Sequence, residues 1–112
     1  MIGIQHTAIY TPEGIETAKI LEEKAGIPEN IIIEKFGLYE KRVAPSNVQT
    51  SDLAIRAGEK ILEHIDRELI DVVIYFGSPH KDYHVWPIVP KIQYELGLKN
   101  AYVFDFSAIG KQ

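Results

Sequence analysis

The run SPHKDYHVW, from Ser78 to Trp86, is the most chemically dense stretch of the chain. Imidazole nitrogens and carboxylate oxygens are zinc donors, so His80, Asp82 and His84 spell out a candidate metal site and, with an open coordination position, a small metal hydrolase. The H-x-D-x-H spacing is permissive. An extended backbone puts all three side chains on one side, whereas turns created by Pro79 separate them, and neither a fourth ligand nor a general base can be named. A structural or solvent-facing loop is the simpler reading, and no metal is assigned. Cysteine chemistry is excluded outright: the 112 residues contain no cysteine, hence no disulfide, no thiolate ligand and no thiol nucleophile.

Composition narrows the class further. An apolar fraction of 46% is ample for a core, and a net charge of -4 with 25% charged residues disfavours a general binder of nucleic-acid backbones while leaving a local basic patch open. No stretch reaches the roughly 18 apolar residues that a membrane-spanning helix needs. The start, MIGIQHTAIYTPEG, lacks the basic region and small-residue cleavage site of a secretory signal. These features imply no nucleic-acid or membrane partner and fit a cytoplasmic location.

The elements that must position any site follow from periodicity. Ile2 to Tyr10 alternates with period two, the pattern of a strand, before a turn at Thr11 to Gly14. Glu16 to Ala25 is rich in helix formers, with Gly26 as C-terminal cap and Pro28 preventing continuation. Ile31 to Ile33 are consecutive β-branched residues and read as a short extended or buried segment, while FGLYEKR is ambiguous. Thr50 or Ser51 caps the next helix, whose buried stripe is Leu53, Ala57, Ile61 and Ile65, joined by Ala54 and Leu62. IDVVIYF, from Ile70 to Phe76, suits an interior parallel strand covered on both faces. Ile88 to Leu96 forms another helix, with Pro87 just inside its start, Pro90 making its first turn irregular and Gly97 stopping it. Ala101 to Phe106 is a second buried strand. The alternation of strands and helices predicts an α/β fold with right-handed crossovers.

Taken in order, GIQHTAIYTPEG, GLYEKRVA, TSDLAIRAGEKILE, IDVVIYFGSP and LGLKNAYVFDFSAIG resemble the amino-terminal part of a 3-oxoacyl-acyl-carrier-protein synthase III, the ketosynthase III-like branch of the thiolase-like condensing enzymes. The resemblance covers essentially the whole chain and about the first third of a family member. It implies a partial thiolase-like domain over residues 1–112, with a mixed, largely parallel sheet and covering helices, and with the second half-domain absent. Such enzymes take an acyl group from acyl-coenzyme A onto a cysteine and condense it with malonyl-acyl-carrier-protein, releasing carbon dioxide. A coenzyme A thioester is therefore the implied substrate or ligand, with no further cofactor required. The implied partners are a second copy in a homodimer, the missing carboxy-terminal half, and acyl carrier protein.

The resemblance also assigns residues. Gly110 stands at the nucleophile position, where the family places a cysteine at a helix start that lowers its pKa. The family's histidine and asparagine belong to the second half, and none of His6, His64, His80 and His84 matches that histidine. Ile31 and Lys35 occupy the positions of a tryptophan and an arginine that hold the adenine end of coenzyme A. Lys35 keeps a charge for phosphate without the arginine fork, and Ile31 reads as core. Arg42 matches a family arginine, with a structural ion pair or a coenzyme A phosphate as its partner. Trp86, followed by Pro87, matches a phenylalanine that reaches across the dimer interface to close the partner's acyl pocket; packing is its plainer role. Asp105, charged in an apolar strand, needs a donor and reads as a structural residue held by a backbone group or an arginine. The leading expectation is thus an isolated or truncated portion of a condensing enzyme, inactive alone. A noncatalytic dimerisation or acyl-coenzyme A binding module is the alternative.

Overall fold

The computed structural model describes residues 2–77 and 87–107, and these fall into two compact units, residues 11–47 and the remainder. No helix among the described residues is long and apolar enough to cross a membrane.

The unit of residues 11–47 is built on an antiparallel pair, β1 (Gly14–Thr17) and β2 (Glu40–Val43), in the register Gly14 to Val43 through Thr17 to Glu40. Helix α1 (Ala18–Ala25) follows β1 directly, because the Thr17 hydroxyl accepts the Ile20 N–H at 3.3 Å and so caps the first turn. Gly26 ends it at φ 71°, as its glycine predicts, and Lys24 in the last turn bonds Glu16. Ile31 to Ile33 are helical, contrary to the extended segment expected. They lie in α2 (Glu29–Phe36), where the Pro28 carbonyl accepts from Ile31 and Ile32 and Gly37, at φ 65°, closes the other end. Two local end signals and the burial of Ile32 outweigh the modest helix penalty of β-branched residues. Gly14, expected in a turn, begins a strand instead.

The second unit carries the parallel pairing. Strand β3 (Val72–Gly77) lies beside β4 (Tyr102–Ser107), with Val72 opposite Tyr102 and Tyr75 opposite Asp105. Parallel strands need a crossover, and it contains α4 (Val89–Leu96). Pro90 is tolerated in the first turn of α4, where backbone N–H groups have no helical acceptor, and Gly97 ends it at φ 67°. Pro87, expected just inside the helix, precedes its N-cap, Ile88. Ahead of β3 run α3 (Thr50–Leu62) and a 3-10 turn (Arg67–Leu69).

The buried cluster is Ile55, Leu62, Ile88, Ile92, Leu96 and Leu98, with Val73 and Tyr75 of β3 packed against it. The buried side of α3 runs through Ser51, Ile55 and Leu62; of the face read from the sequence, Leu62 is buried and Ala54 packs against the cluster, while Leu53, Ala57, Ile61 and Ile65 are only half-buried. Contact with α4 sets which side is buried. At Gly58 a Cβ atom would stand 2.7 Å from Leu96 Cδ1, so the helices approach tightly where α3 has no side chain. Thr50 and Ser51 lie inside α3, and the cap is Gln49: its N–H donates to Asp52 Oδ2 at 2.8 Å, half of a capping box.

Two further expectations change. Residues 2–10 carry no strand, and Ile2 and Ile4 are 102% and 86% exposed. The β3–β4 sheet is covered on one face, while on the other Val72, Ile74, Phe76, Tyr102, Phe104 and Phe106 are all exposed.

Candidate functional site

In open α/β sheets the carboxyl ends of the strands are where loops meet ligands. Here that end is where β3 leads into residues 78–86 and β4 into residues 108–112. His80, Asp82, His84 and Trp86 in the first segment and Gly110 in the second lie outside the described residues. No group of three or more His, Cys, Asp or Glu side chains among the described residues is placed to hold a metal ion.

What the structure describes is the frame of β3, β4 and α4 that these segments adjoin in sequence. Asp105 sits on the covered face of β4, where an unsolvated carboxylate requires donors. Its Oδ2 accepts the backbone N–H of Ile88 at 2.7 Å. Ile88 is the N-cap of α4 and follows Pro87, so one carboxylate joins the strand leading to Gly110 to the helix start that follows Trp86 and Pro87. A negative group at a helix N-terminus is favoured by the free N–H groups and the helix dipole.

A second polar node ties α3 to α4. Lys91 Nζ donates to Ser51 Oγ at 2.6 Å and to Gln49 Oε1 at 3.2 Å, and lies 3.4 Å from Asp52 Oδ1. Ser51 is fully buried, so its hydroxyl meets the lysine inside the helix contact. The Gln49 N–H holds the Asp52 carboxyl below its ordinary range, with Lys91 and Arg56 adding to the effect and burial opposing it. Sequence reasoning missed this node. Asp three residues after Gln49 was a readable capping signal, but Lys91 beside a proline carries none. At the other end of α4, Gln93 Nε2 donates to the carbonyls of Leu98 and Ala101 at 3.0 and 2.7 Å, fixing the helix exit against the entry to β4.

Lys35 and Arg42 both lie in the unit of residues 11–47. Lys35 is exposed in the last turn of α2, where a cation complements the free carbonyls. Arg42 is exposed on β2, and its Nη1 donates to the Pro12 carbonyl at 3.2 Å. Ile31 is half-buried in α2.

Known proteins match the chain in both sequence and fold. A β-ketoacyl-acyl-carrier-protein synthase III from Campylobacter jejuni is 33% identical over 108 residues, which are 95% of this chain and 33% of that protein. The crystal structure of the Thermus thermophilus β-ketoacyl-acyl-carrier-protein synthase III superposes with a TM-score of 0.80 at 29% identity, over 96% of this chain and 33% of that one. This chain is homologous to a third of a 3-oxoacyl-acyl-carrier-protein synthase III. A protein solved in complex with 3-hydroxy-3-methylglutaryl coenzyme A matches with a TM-score of 0.76 at 21% identity, over 92% of this chain and 25% of that one; at that identity the likeness concerns the thiolase-like fold alone. No family model matches the chain. The chain spans about a third of the length of the synthases III that it matches.

Two consequences of the frame are measurable. Asp105→Ala leaves the Ile88 N–H without its acceptor and lowers unfolding stability by about 1–3 kcal/mol, while Asp105→Asn, which keeps an acceptor oxygen, costs less; urea denaturation followed by circular dichroism distinguishes them. Because the folded-state pKa of Asp52 is depressed, its contribution is complete above the unfolded value near 3.8 and is lost as pH falls through the lower folded value. Stability measured below pH 3.8 therefore declines more steeply in the parent chain than in Asp52→Asn.

Proposed function

We propose that the chain forms part of a condensing enzyme that joins acyl-coenzyme A to malonyl-acyl-carrier-protein, in fatty-acid or related acyl-chain synthesis. The observation that carries this reading is the match to synthases III along 95% of the chain. The reaction needs a thiolate to accept the acyl group, and this chain has Gly110 where the resemblance expects it and no cysteine elsewhere. The chain by itself is therefore inactive in condensation. Its contribution is the frame: β4 leads to the nucleophile position, and Asp105 fixes that strand against the start of α4. Coenzyme A thioester is the ligand class, with Lys35 and Arg42 as the cations offered to its phosphates, and acyl carrier protein is a partner of the assembled enzyme.

Coverage of the sheet supports a partner. Parallel sheets occur almost only with both faces covered, and the open face of β3–β4 presents six large apolar side chains free of charge. In this reading the second half-domain completes the enzyme, and pairing with a second copy is the alternative that analytical ultracentrifugation over a concentration series detects.

The test is a chimera in which these 112 residues replace the matching third of the Campylobacter jejuni synthase III. The chimera is expected to fold and to remain inactive with Gly110, and Gly110→Cys in it restores acyl transfer from acyl-coenzyme A and then malonyl condensation, assayed separately. The same substitution in the chain alone gives no condensation; condensation by that chain alone overturns the reading. Within the active chimera, Trp86→Ala shifts the range of acyl-chain lengths accepted or weakens dimer affinity, because removing the indole opens space beside the acyl chain. Unchanged chain-length profile and unchanged dimer affinity remove the assignment of Trp86.

A further inference from the structure

Lys91 stands where helix preference does not put a cation. It lies in the first turn of α4, where the dipole and the free N–H groups favour negative charge, and its ammonium is turned to the first turn of α3, where the same objection applies. Its acceptors there include Ser51 Oγ at 2.6 Å, Gln49 Oε1 at 3.2 Å and Asp52 Oδ1 at 3.4 Å. Ser51 is fully buried, so the ammonium enters the contact between the two helices. A charge taken part of the way out of water is kept only where hydrogen bonds and a counter-charge meet it.

The backbone of the same turn carries the tie onward. The Lys91 N–H donates to the Ile88 carbonyl at 3.1 Å, and the Ile88 N–H donates to Asp105 Oδ2 at 2.7 Å. Pro90, between Ile88 and Lys91, has a fixed φ, so the turn is stiff. Ile88 and Val89 are each 2% exposed, which shields these bonds from competing water. One path of bonded groups therefore runs from Ser51 of α3 along the lysine stem, through Ile88, to the carboxylate of β4. Stiff, contiguous paths of this kind carry displacement from one element to another.

We propose that Lys91 is a positioning residue for Asp105. By drawing the first turn of α4 onto α3 it sets the place of the Ile88 N–H, and that N–H fixes the carboxylate and with it the outgoing end of β4. Without the ammonium the turn shifts relative to β4, and the bond between Asp105 and Ile88 opens more often. Where β4 leads to the nucleophile position, as in the function proposed above, Lys91 acts on that position through Ile88 and Asp105 and touches no substrate. This last consequence rests on that reading; the coupling of Lys91 to Asp105 does not.

Hydrogen exchange read by NMR on the full chain separates positioning from general stability. Lys91→Met keeps the stem and removes the charge. It is expected to speed exchange of the Ile88 amide at least about tenfold, while the Tyr102 amide, bonded to the Asp71 carbonyl at the other end of the sheet, stays within about twofold. Lys91→Arg, which keeps the charge and the donors, returns Ile88 to within about threefold of the parent rate. Ser51→Ala leaves Lys91 in place and removes one acceptor; it gives a smaller rise at Ile88 in the same direction, and carries the test if Lys91→Met does not fold. Urea denaturation gives a second reading: the loss in folding equilibrium constant for Lys91→Met/Asp105→Ala falls short of the product of the two single losses by at least about threefold. An unchanged Ile88 amide, Ile88 and Tyr102 amides that speed up together, or single losses that simply multiply overturn the proposal.

Discussion

Parallel pairing of β3 with β4 is the constraint from which the rest of the larger unit follows. Parallel neighbours cannot be joined by a tight turn, so the chain between them must cross back, and α4 is part of that return. Once α4 lies on the sheet, its Ile92 and Leu96 define the covered face, and α3 is rotated until Ile55, Gly58 and Leu62 meet it. Alternation along the strands then determines which residues are inward: Val73 and Tyr75 on β3, Val103 and Asp105 on β4. A lone two-stranded ribbon is marginal in water, so the helices supply most of the stability of this sheet through the apolar cluster they share with it.

Helix ends were the most legible part of the sequence, because their signals are local. Gly26 and Gly97 adopt φ 71° and 67°, where a side chain is strained and glycine is not, and both mark the helix ends expected of them. The apolar run before Gly77 and the one ending at Phe106 were legible as strands for the same reason: composition and length suffice. What failed was whatever depended on a neighbour. The pattern of Ile2 to Tyr10 states which residues share a face and is silent about whether an edge is available. Three β-branched isoleucines favour extension until Pro28 and Gly37 close a helix around them. The α3 face was read in part, with Leu62 and Ala54 on it and Ile55 missed, because where α4 meets α3 is not written in α3 itself.

The site was legible to a similar depth. An aspartate in an apolar strand announces that it has a donor, so a backbone or arginine partner for Asp105 follows from the cost of an unsolvated charge. That the donor is the N–H of Ile88 leaves no mark in the sequence, since every residue but proline has one. Lys91 and Ser51 are silent for a related reason: each is an ordinary helix residue until two helices are brought face to face. Homology to synthases III concerns a scaffold, and scaffolds host chemistry without containing it. In this chain the Asp105 carboxylate ties β4 to the start of α4, while the sequence contains no thiol.

The bond between Asp105 and Ile88 also has a consequence in time. The chain is synthesised from its amino end at about 5–20 residues per second, so the start of α4 is made before the carboxylate that completes it. Until β4 emerges and pairs with β3, the Ile88 N–H at the start of α4 lacks its carboxylate acceptor. The helix is therefore finished from behind. Its last turn, closed by Gly97 and by Gln93 reaching Ala101, is available to the nascent chain earlier than its first, and that order favours maturation of this unit from the exit of α4 back to its entry.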